Sequence, residues 1–207
     1  MCVFKINLST ARDLDDATHV VKYSEHLYEV GLHISDVSYF VQHNSPIDKT
    51  ASEHTTSVYL VQKVIKMLPR FPCENLYSLN PSEERLTCCV IRKVNGNGDI
   101  FEAWFGRRLI NSVLKLSYEN AQKYIETPGI DFTNPEEFLK IRDVFMLRQV
   151  KDAVLNLGKI ARIIRKKLNT KGCLTLMQTK LSFILIKETS VAYVYNVYEQ
   201  KNTIQVS

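Results

Sequence analysis

Two kinds of hydrophobic spacing divide the chain. In the first half, apolar and β-branched residues alternate with polar or small ones, which is the spacing of half-buried strands. An Asn-Gly-Asn-Gly run at 95–98 is a strong turn signal and predicts a hairpin there. A helix is predicted to open at Pro46 and run to about Thr56, and three prolines make 67–84 an irregular segment. The predicted strands cover 28–41, 57–61, 85–94 and 100–116.

The second half is dominated by a helical spacing. Apolar residues recur there at steps of three and four, which predicts a long amphipathic helix near 141–168 with one buried stripe. Ser117 is the predicted N-cap of a shorter helix, and Gly172 is predicted to end the long one. Two further strands are predicted over 174–186 and 191–198. The pattern therefore indicates a mixed α/β chain with a strand-rich first half. The stripe consists of Ile141, Val144, Leu147, Val150, Val154, Leu157, Ala161, Ile164 and Leu168.

Composition and charge narrow the class of protein. The 207 residues, 45% hydrophobic and 24% charged, suit one folded domain or part of a larger one and argue against disorder. The net charge of +5 is unevenly spread, since residues 151–207 carry ten lysines and arginines against three acids. An acidic early region with a basic late one favours a metal-dependent enzyme acting on a polyanion. A basic, solvated helix surface explains the same charge equally well.

The cysteines and the N-terminal sequence indicate an intracellular protein. The five cysteines are odd in number and lack Cys-x-x-Cys spacing, so we expect reduced thiols and no zinc site. No signal peptide and no apolar stretch approaching 18 residues is present, so we expect a soluble protein with no membrane partner.

The strongest chemical signal is the acidic run Ala11–Ala17, which holds Asp13, Asp15 and Asp16 within four residues. Carboxylates this close repel one another unless they are solvated or neutralised, and oxygen ligands of this kind suit Mg²⁺. An acidic turn at a helix end is the alternative. The loop of haloacid-dehalogenase-type phosphatases fits poorly, because Asp16 follows the second aspartate directly.

His33 and Asp36 could suggest an acid–base pair. Three residues apart on a regular strand, their side chains would point to opposite faces, so we expect packing or hydrogen bonding instead.

Six stretches of the chain resemble the catalytic domain of the ribonuclease II and ribonuclease R family of 3′-to-5′ exoribonucleases. The resemblance is strongest to eukaryotic cytoplasmic members that act apart from the exosome and favour uridylated RNA. The stretches occur in the family's order and are ARDLDDA (11–17), GLHISDVSYFV (31–41), TSVYL (56–60), MLP (67–69), SLNP (78–81) and KLSYENAQ (115–122).

The resemblance implies roles for several residues. Positions 7, 13, 15 and 16 would hold Mg²⁺ or Mn²⁺, with Asp13 and Asp16 as ligands and Asp15 closest to the chemistry. Asn7 departs from the family's aspartate and is a degenerate ligand position, so metal affinity should fall. Tyr59 and Tyr118 occupy family positions that stack on or orient the RNA end, with burial in the fold as the alternative. The charged face of the long helix adds Arg162 and Lys166 as expected RNA-binding residues, with a solvated helix surface as the alternative.

The resemblance also implies a partial RNB-type catalytic domain over 1–207, without its C-terminal part and without the flanking OB-type domains. The leading hypothesis is a cytoplasmic, Mg²⁺-dependent 3′-to-5′ exoribonuclease of single-stranded RNA, in a truncated and weakly active or inactive form, with no DNA partner. The alternative is a non-catalytic RNA-binding or interaction protein derived from such an enzyme.

Overall fold

A six-stranded sheet with helices on one face organises the chain. The computed structural model describes residues 1–8, 11, 13–60, 63–69, 72–129, 144–174, 180–185 and 192–198. The strands are β1 Phe4–Asn7, β2 Asp16–Ser24, β3 Leu27–Ser35, β4 Val58–Tyr59, β5 Val64–Ile65, β6 Glu84–Asn95, β7 Ile100–Asn111, β8 Leu114–Ser117, β9 Lys180–Leu185 and β10 Ala192–Tyr198. The helices are α1 Val37–Phe40, α2 Pro46–His54, α3 Tyr118–Glu126 and α4 Val144–Thr170, with a π-helical segment at Pro72–Tyr77.

The main sheet has the strand order β7-β6-β3-β2-β1-β8. All neighbours are antiparallel except β1 and β8, which run parallel with Asn7 opposite Ser117. The strands β4 and β5 form one separate two-stranded sheet, and β9 and β10 form another. The parallel pair brings residues more than a hundred positions apart to the same edge of the sheet.

The core lies between the sheet and the helices α3 and α4. Phe4, Leu116, Tyr124, Val150 and Val154 are almost fully buried in one cluster. The helical stripe predicted from the sequence is confirmed where the structure describes it, since its members from Val150 to Leu157 face this core. Ile141 lies outside the described residues.

The hairpin around residues 95–98 is confirmed. Gly98 has a φ of +78°, and the side chain of Asn95 accepts hydrogen bonds from the backbone N–H groups of Asn97 and Asp99, both at 2.9 Å. The second strand is shorter than predicted, because β7 ends at Asn111 and β8 begins only at Leu114.

Other predicted boundaries need correction. The strand predicted to reach residue 41 ends at Ser35, since the chain turns at Asp36 into the short helix α1. Within the described part of the strand predicted at 57–61, β4 covers Val58–Tyr59, and residue 61 lies outside the described residues. The segment predicted to be irregular contains the π-helical segment. The helix predicted at 46–56 is confirmed over Pro46–His54.

The capping of α3 is confirmed, because the side chain of Ser117 accepts a hydrogen bond from the N–H of Asn120 at 3.2 Å. Gly172 has a φ of +84° just after α4 ends, as a helix stop requires. Cys2, Cys88, Cys89 and Cys173 are free thiols. Among the described residues, no helix is both long enough and apolar enough to cross a membrane.

Candidate functional site: the acidic loop and its surroundings

The acidic loop, defined here as residues 8–15 between β1 and β2, is held down by a distant segment. Leu14 is buried, and its N–H donates to the hydroxyl of Ser78 at 3.3 Å. The N–H of Leu79 donates to the carbonyl of Leu14 at 2.8 Å. The stretch 78–81, which carries part of the family resemblance, therefore anchors the acidic loop.

A second anchor comes from β8. The ammonium of Lys115 donates to the carbonyl of Ala11 at 2.7 Å. Two residues after Lys115 in β8, Ser117 lies opposite Asn7 of the parallel strand β1. Three of the stretches that resemble the family, 11–17, 78–81 and 115–122, thus meet at one place.

Two of the three aspartates lie at the start of β2. Asp16 opens the strand opposite Ile34, and the carbonyl of Asp15 accepts a hydrogen bond from the N–H of Ser35 at 2.8 Å. The side chain of Asp15 points outward, yet the surrounding protein raises the pKa of its carboxyl by partial desolvation. The negative charges of Asp13 and Asp16 raise this pKa further.

The third aspartate already has a cationic partner. The ammonium of Lys66, just after β5, donates to Oδ1 of Asp13 at 2.7 Å. The side chain of Asn7 is also engaged, because its Oδ1 accepts a hydrogen bond from the N–H of Leu8 at 2.9 Å. Two of the four positions predicted to hold metal are therefore occupied by contacts within the protein.

A buried lysine near the acidic residues was not predicted from the sequence. Lys5, in β1, is only 1% exposed, and its Nζ is one of the buried polar atoms without a hydrogen-bond partner among the described residues. Burial lowers its pKa to about 7, against the opposing effect of the charges on Asp16 and Asp15. A lysine inside the apolar run Val3–Ile6, two residues before Asn7, was the available signal.

The donor set has the right chemistry for a divalent cation but the wrong arrangement. Carboxylate and amide oxygens are the ligands that Mg²⁺ prefers. However, across the part of the chain that the structure describes, no three His, Cys, Asp or Glu side chains converge in a way that could hold a metal ion. With Asp13 paired to Lys66, the residues as arranged do not fit the metal.

The two predicted tyrosines lie in different surroundings. Tyr59 is 72% exposed on the β4–β5 hairpin, whose C-terminal neighbour Lys66 contacts the acidic loop. Tyr118 opens α3 and is half-buried, and burial followed by the charge of Asp16 raises the pKa of its hydroxyl. The structure therefore places Tyr118 beside the acidic loop and leaves the ring of Tyr59 accessible.

The basic residues in the C-terminal half of α4, from Lys159 onward, separate into two groups. Lys159 lies 3.4 Å from the hydroxyl of Tyr28, and Lys167 forms an ion pair with Asp99. The other group lines a groove of about 690 Å³ between α3 and α4, termed here the basic groove. Its lining includes no acidic residue, and its cationic and polar members are Gln122, Arg162, Arg165, Lys166, Asn169 and Thr170.

His33 belongs to a buried hydrogen-bond chain. Its Nε2 lies 2.7 Å from Nδ1 of His19, and its Nδ1 lies 2.9 Å from the sulfur of Cys89. His19 reaches Glu29 at 3.4 Å. Asp36 points elsewhere and pairs with Arg107 at 2.8 Å. The expectation of packing and hydrogen bonding, rather than an acid–base pair, is confirmed.

The family model of the RNB domain matches residues 1–206. The chain belongs to the RNB domain family. It is 45% identical over 202 residues to DIS3-like exonuclease 2 of Xenopus tropicalis, covering 98% of this chain and 24% of that protein. It is 36% identical over 203 residues to a protein of Arabidopsis thaliana named inactive exonuclease DIS3L2, covering 98% of this chain and 19% of that protein.

Solved structures share the fold of this RNB chain. RNase R of Mycoplasma genitalium in complex with ribose-methylated single-stranded RNA matches with a TM-score of 0.81 at 20% identity, covering 98% of this chain and 29% of that one. The same RNase R in complex with double-stranded RNA matches with a TM-score of 0.75 at 22% identity. The match covers 93% of this chain and 32% of that one. The predicted fold class, a partial RNB-type mixed α/β domain, is confirmed.

The RNB chain spans about a quarter or less of the curated relatives it matches, as the 24% and 19% coverages state. The activity, substrates and partners of those whole proteins therefore do not transfer directly to it.

Proposed function

We propose that this chain binds single-stranded RNA and, with its acidic loop in the observed state, hydrolyses it weakly or not at all. It would be a cytoplasmic relative of Mg²⁺-dependent 3′-to-5′ exoribonucleases in which Asp15 keeps its position but the metal site is compromised. The observation that carries the proposal is the ion pair of Asp13 with Lys66, to which the neutral amide of Asn7 adds no compensating charge. A relative named as inactive makes loss of activity compatible with the family.

Tyr59 supports the RNA-binding part of the proposal. Its exposed ring lies on a hairpin joined to the acidic loop through Lys66, so a base stacked on it would leave the neighbouring phosphate close to the aspartates. Stacking of a base on an aromatic ring contributes about 1–3 kcal/mol and needs an unpaired strand. Tyr118, half-buried beside Asp16, would orient the end of the strand rather than stack on it.

The basic groove supplies the complementary charge. Arg162 and Lys166, with Arg165 between them, would contact RNA phosphates along α4. The described residues that line the groove include these three cations and no acid, and the nearby carboxylate of Glu126 accepts a hydrogen bond from the lining residue Gln122 at 2.8 Å. Lys159 and Lys167 contact Tyr28 and Asp99 instead and are not assigned to RNA.

Two double variants that lose the same number of positive charges test whether the basic groove binds RNA. Arg162→Gln with Lys166→Gln should weaken binding of a labelled oligouridine about tenfold and lower the salt slope by about 1.4, since each single-strand phosphate contact contributes about 0.7. Lys159→Gln with Lys167→Gln removes two charges from the same helix and should change affinity less than about twofold. Fluorescence anisotropy at several salt concentrations, with a chelator present, gives both quantities. If both double variants lose the same affinity for oligouridine, the basic groove does not bind the RNA.

Tyr59 has its own matched pair of variants. Tyr59→Ala should weaken oligouridine binding without changing the salt slope, whereas Tyr59→Phe should retain it, because only the ring is needed for stacking. Duplex RNA of the same length should bind more weakly than the single strand. Tighter binding of the duplex would contradict the stacking account.

A second candidate function is supported by the edge strand β7. Its side chains Phe101, Phe105 and Leu109 are 59%, 66% and 58% exposed, which is unusual for a free surface. A non-catalytic interaction protein would use such a face to bind another protein. Failure of oligouridine binding, together with self-association that Phe105→Ser abolishes in sedimentation experiments, would favour this function over RNA binding.

A further inference from the structure

We propose that the ammonium of Lys66 takes the place of a divalent cation at Asp13 and thereby excludes metal ions from the acidic loop. The inference deepens the proposed function, because it assigns the loss of the metal site to one side chain outside the loop. It concerns cation binding alone and can be tested without RNA.

The contact is well placed for this role. Nζ of Lys66 and Oδ1 of Asp13 are 2.7 Å apart, and the two side chains are only 15% and 29% exposed. A pair shielded from water to this degree is screened less than a surface pair. The ammonium takes one lone pair of Oδ1, and its positive charge at this distance repels a divalent cation that approaches either oxygen of the Asp13 carboxylate.

The pair is not needed to shape the hairpin that carries Lys66. The N–H of Leu60 donates to the carbonyl of Lys63 at 2.9 Å and closes the turn. The N–H of Met67 donates to the hydroxyl of Ser57 at 3.0 Å and joins the two ends. The hairpin therefore closes through bonds that do not involve the ammonium of Lys66.

The rest of the loop increases the effect of Lys66. Asn7 contributes no charge, and its oxygen is bonded to the N–H of Leu8. An incoming cation would therefore have to compete with Lys66 for one of only three carboxylates, those of Asp13, Asp15 and Asp16. Removing the ammonium would return the full charge of Asp13 to the loop.

The experiment is a titration of the full chain with Mn²⁺, followed by the electron paramagnetic resonance signal of the free ion. Lys66→Met should bind Mn²⁺ at least tenfold more tightly than the unmodified chain, and Lys66→Arg, which keeps the charge, should not. Lys63→Met is the matched control, because Lys63 is an exposed lysine on the same hairpin. It should change the affinity less than about twofold.

Circular dichroism checks the fold of each variant, and Lys66→Gln replaces Lys66→Met if the latter does not fold. If Lys66→Met or Lys66→Gln binds Mn²⁺ no more tightly than Lys63→Met, Lys66 only attaches the hairpin and the proposal is wrong. Tighter Mn²⁺ binding without any RNA binding would support this inference and contradict the proposed function, so the two can fail separately.

Discussion

Leu79 and Leu14 are 65 positions apart in the sequence, yet the N–H of Leu79 donates to the carbonyl of Leu14 at 2.8 Å. With the contact between Leu14 and Ser78, this bond fixes the backbone between Asp13 and Asp15. The acidic loop is therefore set by long-range contacts, and its charge state depends on side chains that come from other parts of the chain.

Asn7→Asp should strengthen Mn²⁺ binding several-fold, because four carboxylates attract a divalent cation more strongly than three carboxylates and an amide. Calorimetric titration measures the change. Asn97→Asp, in the exposed turn of the β6–β7 hairpin, adds the same charge far from the loop and is the control. Equal affinities of Asn7→Asp and the unmodified chain would exclude residue 7 from metal binding.

Lys5→Met should stabilise the protein, and more so at pH 6 than at pH 9. Burial lowers the pKa of Lys5 from 10.5 to about 7. Below pH 7 the folded state holds a buried ammonium charge, which costs stability. Between pH 7 and 10.5 only the unfolded state binds this proton. The free energy of unfolding of the unmodified protein therefore rises with pH in this range, by up to about 1.4 kcal/mol per pH unit.

Urea unfolding of both proteins at the two pH values gives the difference in the free energy of unfolding. The exposed Lys63→Met serves as the control and should show no such pH dependence. A stabilisation by Lys5→Met that is equal at pH 6 and pH 9 would mean that Lys5 is not buried as a titrating group.

The His19–His33 chain should make the protein sensitive to mild acid. Burial lowers the pKa of both imidazoles, that of His33 to about 4, while Glu29 favours a charged His19 and Arg108 opposes charge on both rings. Between about pH 6.5 and 4 the unfolded state binds protons that the folded state does not, so stability falls as pH decreases through this window.

Unfolding free energies at pH 7, 6 and 5 measure this slope. His33→Gln should reduce it by up to about 1.4 kcal/mol per pH unit, the contribution of one proton. The exposed His54→Gln should leave the slope unchanged. An unchanged slope in His33→Gln would show that His33 does not titrate differently in the two states.

Gly31→Ala should destabilise the fold by about 1–3 kcal/mol, the range for overpacking a filled interior. A Cβ at Gly31 would lie 1.9 Å from Cε1 of the His19 ring, which is held by the hydrogen bonds just described. Gly129→Ala, where nothing lies within 4 Å of the added Cβ, is the control for thermal unfolding. Similar melting temperatures for the two variants would contradict the described packing of His19.

The sequence predicts elements whose signals are local. The turn at Asn95–Gly98 predicts the β6–β7 hairpin, and Ser117 predicts the start of α3. The spacing of apolar residues in α4 predicts which face of that helix is buried. The strands β1, β2 and β5 were not predicted; in β1, four residues with a lysine among them show no alternation. The early end of β3 was missed because the apolar residues after Asp36 continue the strand-like pattern into α1.

The acidic residues of the site could be predicted in the same way, because Asp13, Asp15 and Asp16 are neighbours in the sequence. Lys66 could not, because its partner lies 53 positions away and its apolar neighbours Val64, Ile65 and Met67 give no sign of a charged partner. The division of the α4 cations likewise depends on partners, Tyr28 and Asp99, that only the folded chain brings near.

The most direct test combines binding and cleavage of one substrate. The purified chain is incubated with a 5′-labelled oligouridine in the presence of Mg²⁺, and bound RNA and products are measured in the same sample, with Asp15→Asn as the control. We predict RNA bound in a salt-dependent manner and at most a trace of shortened products above the control. Conversion of most of the bound RNA to a ladder of products that disappears in Asp15→Asn would contradict the proposal and show that the chain is an active nuclease.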